Sequence, residues 1–354
     1  MGEVRDFKCQ CDLAISASSS GKAPWNYEFR TTVHDGRIDH PTLPRTLSDL
    51  RGVFSITPSG LQVEASQANL GEAILRLTGT LDGYQWPCRA DLKISARGLL
   101  LDEQLALTLP KDAKIIWDRV LPSGHIDFDA NLKHDENGWD PNGTITCKGV
   151  DVRYERFPYP VESVVGRIEV ASNSISADTL TGRVGDNRLQ CALQIPIRRT
   201  PNSKLSFVMA TDGPIPIDQT LISSLTPRGQ PTSKLESFVR SLQPRGAMQV
   251  TSVSIEMDAA KKLSKRIDLR VMDSHMRYEK FPYPLYNVSG TILVDDDLVT
   301  LAGLRANNAN AGTIRCDGMY KMPKRADDGL PLAPSELVLQ FNANDVQMLS
   351  LIHI

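Results

Sequence analysis

No run of the chain approaches the ~20 consecutive apolar residues of a membrane-spanning helix. Residues 1–20 likewise lack a basic flank leading into an apolar core, so nothing there reads as a secretory signal. An excess of one charge is missing too. The 40 basic and 42 acidic residues leave a net charge of −2 and are scattered along the sequence. That balance gives no electrostatic reason to expect an acidic membrane surface, and it sets nucleic acid aside as a partner.

Six cysteines include no CxxC pair, and the single CxC at Cys9 and Cys11 has no second pair downstream to complete a zinc site. The histidines at 34, 40, 125, 134, 275 and 353 share no ligand spacing. Gly-x-Ser-x-Gly, P-loop and Gly-x-Gly-x-x-Gly patterns are absent. No catalytic, cofactor-binding or metal-binding residue is therefore assigned, and the expected protein is not an enzyme. Asp295-Asp296-Asp297 is read as an acidic hairpin turn. Cys191 and Cys316 are read as small apolar residues at equivalent strand positions.

What the chain does contain is a repeat. Arg277-Tyr278-Glu279-Lys280-Phe281-Pro282-Tyr283-Pro284 restates, 124 residues later, Arg153-Tyr154-Glu155-Arg156-Phe157-Pro158-Tyr159-Pro160. The same offset joins Gly166-Arg167-Ile168 to Gly290-Thr291-Ile292, and Gly52 stands 114 residues before Gly166. A motif that recurs with the period is architectural before it is chemical. Alternate prolines hold an extended backbone and remove ladder donors, so the segment is expected to bridge sheet sections without pairing, its aromatics anchored on the core.

Short strands punctuated by turn residues favour an all-β architecture. His125–Lys133 puts Ile126, Phe128, Ala130 and Leu132 on one face and Asp127, Asp129, Asn131 and Lys133 on the other. Arg266–Val271 does the same with Ile267, Leu269 and Val271, and Glu336–Phe341 with Leu337, Leu339 and Phe341. Strict alternation marks antiparallel sheet with one wet face. Two segments break the pattern with 3,4 spacing, residues 102–121 and 218–242, and read as short helical hairpins. In the second, Ser233 and Glu236 form a capping-box pattern, and Leu235, Phe238, Val239 and Leu242 make an apolar stripe that should lie on the sheet.

The fold expected is mainly β: an elongated, curved antiparallel sheet of about three repeats with short helical hairpins packed on it. Residues 1–37 form N-terminal strands, 38–150 the first unit, 151–273 the second and 274–348 a third that stops where its helices should begin. Residues 349–354, Leu-Ser-Leu-Ile-His-Ile, resemble a translated transposase end sequence from library preparation. The chain is thus expected to be a fragment ending in an adapter-encoded tail.

The cadence of Gly290–Val294, Val299–Leu301 and Thr313–Gly318, also heard at Gly166–Leu193 and Gly52–Leu81, resembles the C-terminal region of AsmA-like proteins of the bacterial envelope. The Phe-Pro-Tyr-Pro element and the helical inserts depart from that family's generic pattern. The resemblance implies a repeating β-groove that moves or organises lipid between membranes on the periplasmic side. It also implies an inner-membrane anchor upstream of this chain. Lipid acyl chains are the partner expected, on an apolar groove face of Ile126, Phe128, Leu132, Ile267, Leu269, Val271, Leu337, Leu339 and Phe341. The alternative is a secreted or surface interaction module, an adhesin or carbohydrate binder, which should offer aromatic platforms. Only 6% of residues are aromatic, four of them Trp.

Overall fold

A computed structural model describes residues 3–5, 8–16, 26–85, 87–197, 203–257, 262–308, 312–325 and 331–346. Residues 349–354 and the third helical insert lie outside the described residues. The protein is mainly β, with 69% of residues in strands of an open antiparallel sheet and few short helices. It divides into two compact units: residues 1–151 with 163–177, and residues 152–162 with 178–354.

Unit 1 begins with β1 (Glu3–Arg5), β2 (Lys8–Ser16), β3 (Asn26–Asp39), β4 (Leu47–Thr57), β5 (Gly60–Leu70), β6 (Ala73–Asp82) and β7 (Arg89–Leu101). The first helical insert follows, α1 (Glu103–Thr108) and α2 (Lys111–Val120), and then β8 (Gly124–Asp135). Strands β9 (Gly138–Tyr154), β10 (Phe157–Ala171) and β11 (Ser174–Val184) are divided between the units. Unit 2 continues with β12 (Asn187–Pro196), β13 (Leu205–Thr211), β14 (Ile215–Pro216), α3 (Gln219–Ser223), α4 (Lys234–Ser241), β15 (Arg245–Met257) and β16 (Leu263–Tyr278). It ends with β17 (Phe281–Asp295), β18 (Leu298–Asn307), β19 (Thr313–Lys321), the short pair β20 (Lys324–Arg325) and β21 (Pro331–Ala333), and β22 (Glu336–Asn344).

Register converts the alternation of each strand into rows. In unit 1, Phe54 stands opposite Val63, Val63 opposite Gly79, Gly79 opposite Leu92 and Leu92 opposite Leu132. On the other face Arg76, Ser95, Asp129 and Thr144 form an equally continuous polar row. Val63, Ala68, Ala90, Ala96 and Ile126 are buried, although unit 1 has no second sheet among the described residues. Curling of the layer, which the twist of an antiparallel sheet favours, and contact of α1 with β7 are what can cover them. Each large apolar side chain removed from water this way contributes roughly 1.5–3 kcal/mol.

The repeat recurs as backbone geometry. Asp49, Ser163 and Asn287 stand one period apart and have φ of 56°, 53° and 52°. Asp35, Gly149 and Asp273 do the same, at 64°, 84° and 43°. Register shifts mark β-bulges beside Asp35, Asp49, Asp273 and Asn287. Asp, Asn and Gly tolerate positive φ, so a residue-type preference marks these sites where no motif does. The recurring glycine has its own cause. A Cβ on Gly52 would lie 2.7 Å from the Ala65 carbonyl oxygen, and one on Gly290, at φ +150°, 2.8 Å from Leu304 Cα.

Two expectations change. The Phe-Pro-Tyr-Pro segment pairs: Tyr278 stands opposite Phe281, Arg277 opposite Pro284 and Met276 opposite Leu285. Strand β18 reaches β17 only from the Tyr286–Asn307 pair onward, so both prolines lie beyond that ladder and their missing N–H groups leave no gap in it. The segment is thus the start of a hairpin strand. Within it, Tyr159 is buried against Val184, Leu189, Ile215, Leu221, Val250 and Val253.

The second change concerns the helices. Asp102, Asp218 and Ser233 cap α1, α3 and α4, accepting from Leu105, Leu221 and Glu236 N–H at 3.0, 2.9 and 3.0 Å. The reciprocal half of the capping box is not made. The Ser233 N–H donates to the Thr226 hydroxyl at 2.8 Å, and the Glu236 carboxylate is taken by Thr226 and Arg240. Glu236 is buried, while Leu235 and Phe238 are each 55% exposed. The α4 stripe therefore does not lie on the sheet as a whole. A buried carboxylate with two donors and a helix pinned through its backbone hold it the other way.

Candidate functional site

The nine candidate groove residues fall into a unit 1 set and a unit 2 set. In unit 1, Ile126 is buried opposite Cys147, Phe128 is half-buried opposite Ala96 and Ile145, and Leu132 is half-buried opposite Leu92 and Pro141. All three sit on the apolar face. In unit 2, Leu269, Ile292, Leu301, Gly318 and Leu339 stand opposite one another in sequence across five strands. A parallel row joins Ile267, Val294, Val299, Tyr320 and Leu337. Four of the six predicted residues of this unit thus lie in two continuous rows, and Val271 and Phe341 lie on the same strand faces, opposite Gly290 and Cys316.

That face is not uniform. Ile267 and Leu269 pack against the Tyr159 and Leu221 cluster, and Val271 is buried with Val288 and Ala306. At the other end the edge strand β22 is exposed on both sides; on this face Leu337 is 61% and Phe341 62% exposed, and Leu339 is also open to solvent. The face is closed beside α3 and opens towards β22.

A shallow hollow of about 660 Å³ lies on unit 1. Its lining contains Arg76, Thr78, Lys93, Ser95, Asp129, Asn131, Asn142 and Thr144, which are two rows of the polar face, and it contains no aromatic side chain. Glu169 also lines it, so its charges are mixed.

Comparison with known proteins leaves the geometry to speak for itself. No family model, no curated protein and no solved structure matches this chain.

Three carboxylates at bulges and turns have structural duties. Asp127 accepts from the Gly98 N–H at 2.9 Å, where β7 bulges between Ala96 and Leu99, and pairs with Lys148 at 3.0 Å. Donation by Gly98, aided by Lys148, holds its carboxyl below the usual range. A second bulge, between Leu301 and Leu304, is bonded alike, with Asp317 accepting from the Gly303 N–H at 2.6 Å. Asp296 ties the acidic turn to the neighbouring strand β16, accepting from the Lys265 N–H at 2.7 Å.

Cys191 stands opposite Met209 and Cys316 opposite Phe341, both half-buried on strands that precede a matching partner strand. Burial pushes both thiols up, away from reactive thiolate. Among the described residues no group of three His, Cys, Asp or Glu side chains is placed to hold a metal, and no helix is long and apolar enough to cross a membrane.

The expectation that the helical inserts pack on the sheet holds for α3. Leu221 and Ile222 follow the Asp218 cap, and both are buried.

Proposed function

We propose that this chain is an AsmA-like protein of the bacterial envelope, acting without catalysis on the periplasmic side, and that its apolar sheet face guides or shields the acyl chains of lipids. The carrying observation is the unit 2 face, where two rows run unbroken across five strands and end in the exposed Leu337 and Leu339, with exposed Phe341 next along the same strand face. Burying a methylene is worth ~0.8 kcal/mol and needs no polar partner. A ligand made of methylenes therefore suits a surface with rows of apolar side chains and no convergent titratable groups. The hollow of unit 1, whose lining mixes polar residues with Leu77, Ile94 and Val170, does not favour sugar, because no aromatic platform lines it.

The test is lipid content and lipid exchange. The purified protein is expected to carry phospholipid detectable by mass spectrometry and to take up a fluorescent acyl-chain phospholipid. Replacing Leu339→Lys together with Phe341→Lys, at exposed positions where folding tolerates charge, should abolish uptake at the open end. A lipid-free protein that takes up no probe, or a double variant that binds as wild type does, would sink the proposal.

A further inference from the structure

We propose that the α4 rim of unit 2 is a docking surface for an anionic lipid bilayer. The inference rests on the lipid-handling role proposed above and adds the membrane partner of the same unit.

The rim is built from three stretches that the sequence keeps apart. The loop between α3 and α4 donates Arg228 N–H to the Glu155 carbonyl at 2.8 Å, which ties it to the first Phe-Pro-Tyr-Pro hairpin turn. The end of α4 accepts at its Leu242 and Ser241 carbonyls from Arg277 and Glu279 N–H, at 2.9 and 2.8 Å, which ties it to the second. Residues 153–156, 218–245 and 277–280 therefore form one platform. They carry eight basic and four acidic side chains in a protein whose net charge is −2. Asp218 caps α3, and Glu236 and Arg240 neutralise each other, so the excess of four cations lies with the other residues of the platform. The overall charge balance that argues against an acidic surface hides this local excess, because folding assembles it.

The same platform exposes what a soluble surface should hide. Leu235 and Phe238 are each 55% exposed, and Phe157 of the first hairpin is 40% exposed. Arg156 precedes Phe157 and Lys234 precedes Leu235 in the chain, and both cations, like Lys280 of the second hairpin, are exposed. Apolar side chains flanked by basic ones match the interface of a bilayer with acidic headgroups, where Leu and Phe enter the acyl boundary and Arg and Lys meet phosphate. The insert of unit 1 makes the contrast: Leu107 is 81% exposed, but residues 102–121 carry four acidic and three basic side chains. Exposure without basic flanks does not select an anionic surface.

Flotation with phosphatidylcholine vesicles, with and without phosphatidylglycerol, tests this on the whole chain. Binding is expected only with phosphatidylglycerol and should weaken as salt rises. Leu235→Ser with Phe238→Ser should lower it at least about tenfold. Arg156→Gln with Lys234→Gln should lower it about twenty-five-fold, at about fivefold per cation. All four positions are exposed, so the variants should keep the wild-type unfolding transition. Equal binding to both vesicle types, full binding by either variant, or no binding by the wild type would overturn the proposal. Acyl-chain uptake measured in solution on the same proteins separates the two ideas. Intact uptake with failed flotation removes only the docking surface, whereas absent uptake removes the groove.

Discussion

The two helical inserts occupy the same place in the repeat and are held in different ways. In unit 1, α2 buries none of its residues, and α1 is fixed by Ala106 and by Asp102, which caps the helix and pairs with Arg45. In unit 2, α3 buries Ile222 and drives Leu221 into the core beside Tyr159, the end of α4 is tied by backbone bonds to the second hairpin turn, and the loop before α4 is tied to the first. The repeat fixes where the chain leaves the sheet and where it returns. It does not fix how the excursion is anchored, because anchoring depends on a few side chains that tandem copies are free to change. Of the two, the first is the one expected to open locally without loss of the sheet.

The largest expected effect comes from removing the anchor of the second insert. Leu221→Ala should destabilise unit 2 by about 2–5 kcal/mol, whereas Leu107→Ala on α1 should stay within about 0.5 kcal/mol. Urea unfolding of both variants reads the difference, and equal losses would erase the contrast. Gly290→Ala follows, at about 1–3 kcal/mol, since its φ is positive and Leu304 lies in the way. Gly52→Ala meets a carbonyl oxygen without a positive φ, so its smaller cost in the same unfolding experiment would separate strain from crowding.

The smallest effect is a matter of pH. Donation by Thr226, and then by Arg240, holds the Glu236 carboxyl below the ordinary glutamate range. A lowered folded-state value means the contribution is complete above the ordinary range and is lost as pH falls through the folded value. Amide exchange should therefore accelerate in α4 below the ordinary glutamate range, while α2 shows no matching step. Glu236→Gln should remove the α4 step, and its persistence in that variant would assign it elsewhere.

Much of this was legible in the residues. Alternation placed Ile126, Leu269 and Leu339 on strand faces that register later joined, and the change of period located both inserts. The strand of Phe-Pro-Tyr-Pro was misread because proline was judged by the donor it lacks, without regard to where the neighbouring strand ends. The orientation of α4 was misread because a stripe of Leu235 and Phe238 looks like a core face. Only the meeting of Thr226, Glu236 and Arg240, distant partners in one dimension for the first of them, shows otherwise. The basic platform was invisible for the same reason, being assembled from segments more than a hundred residues apart.

The positive-φ residues have a consequence for how such a repeat can change. In β16, Ile267, Leu269 and Val271 face the apolar side at odd positions, and beyond Asp273 the role passes to Met276, an even one. In β17 the exchange runs back across Asn287, from Val288 to Leu285. Each bulge is a phase switch, so the stretch before it and the stretch after it keep separate parity. The first copy illustrates the freedom this gives: it retains Asp49 and Gly52 while its counterpart of Phe-Pro-Tyr-Pro has dwindled to Leu43-Pro44. A tandem sheet built this way can rewrite its rim and leave its interior in step.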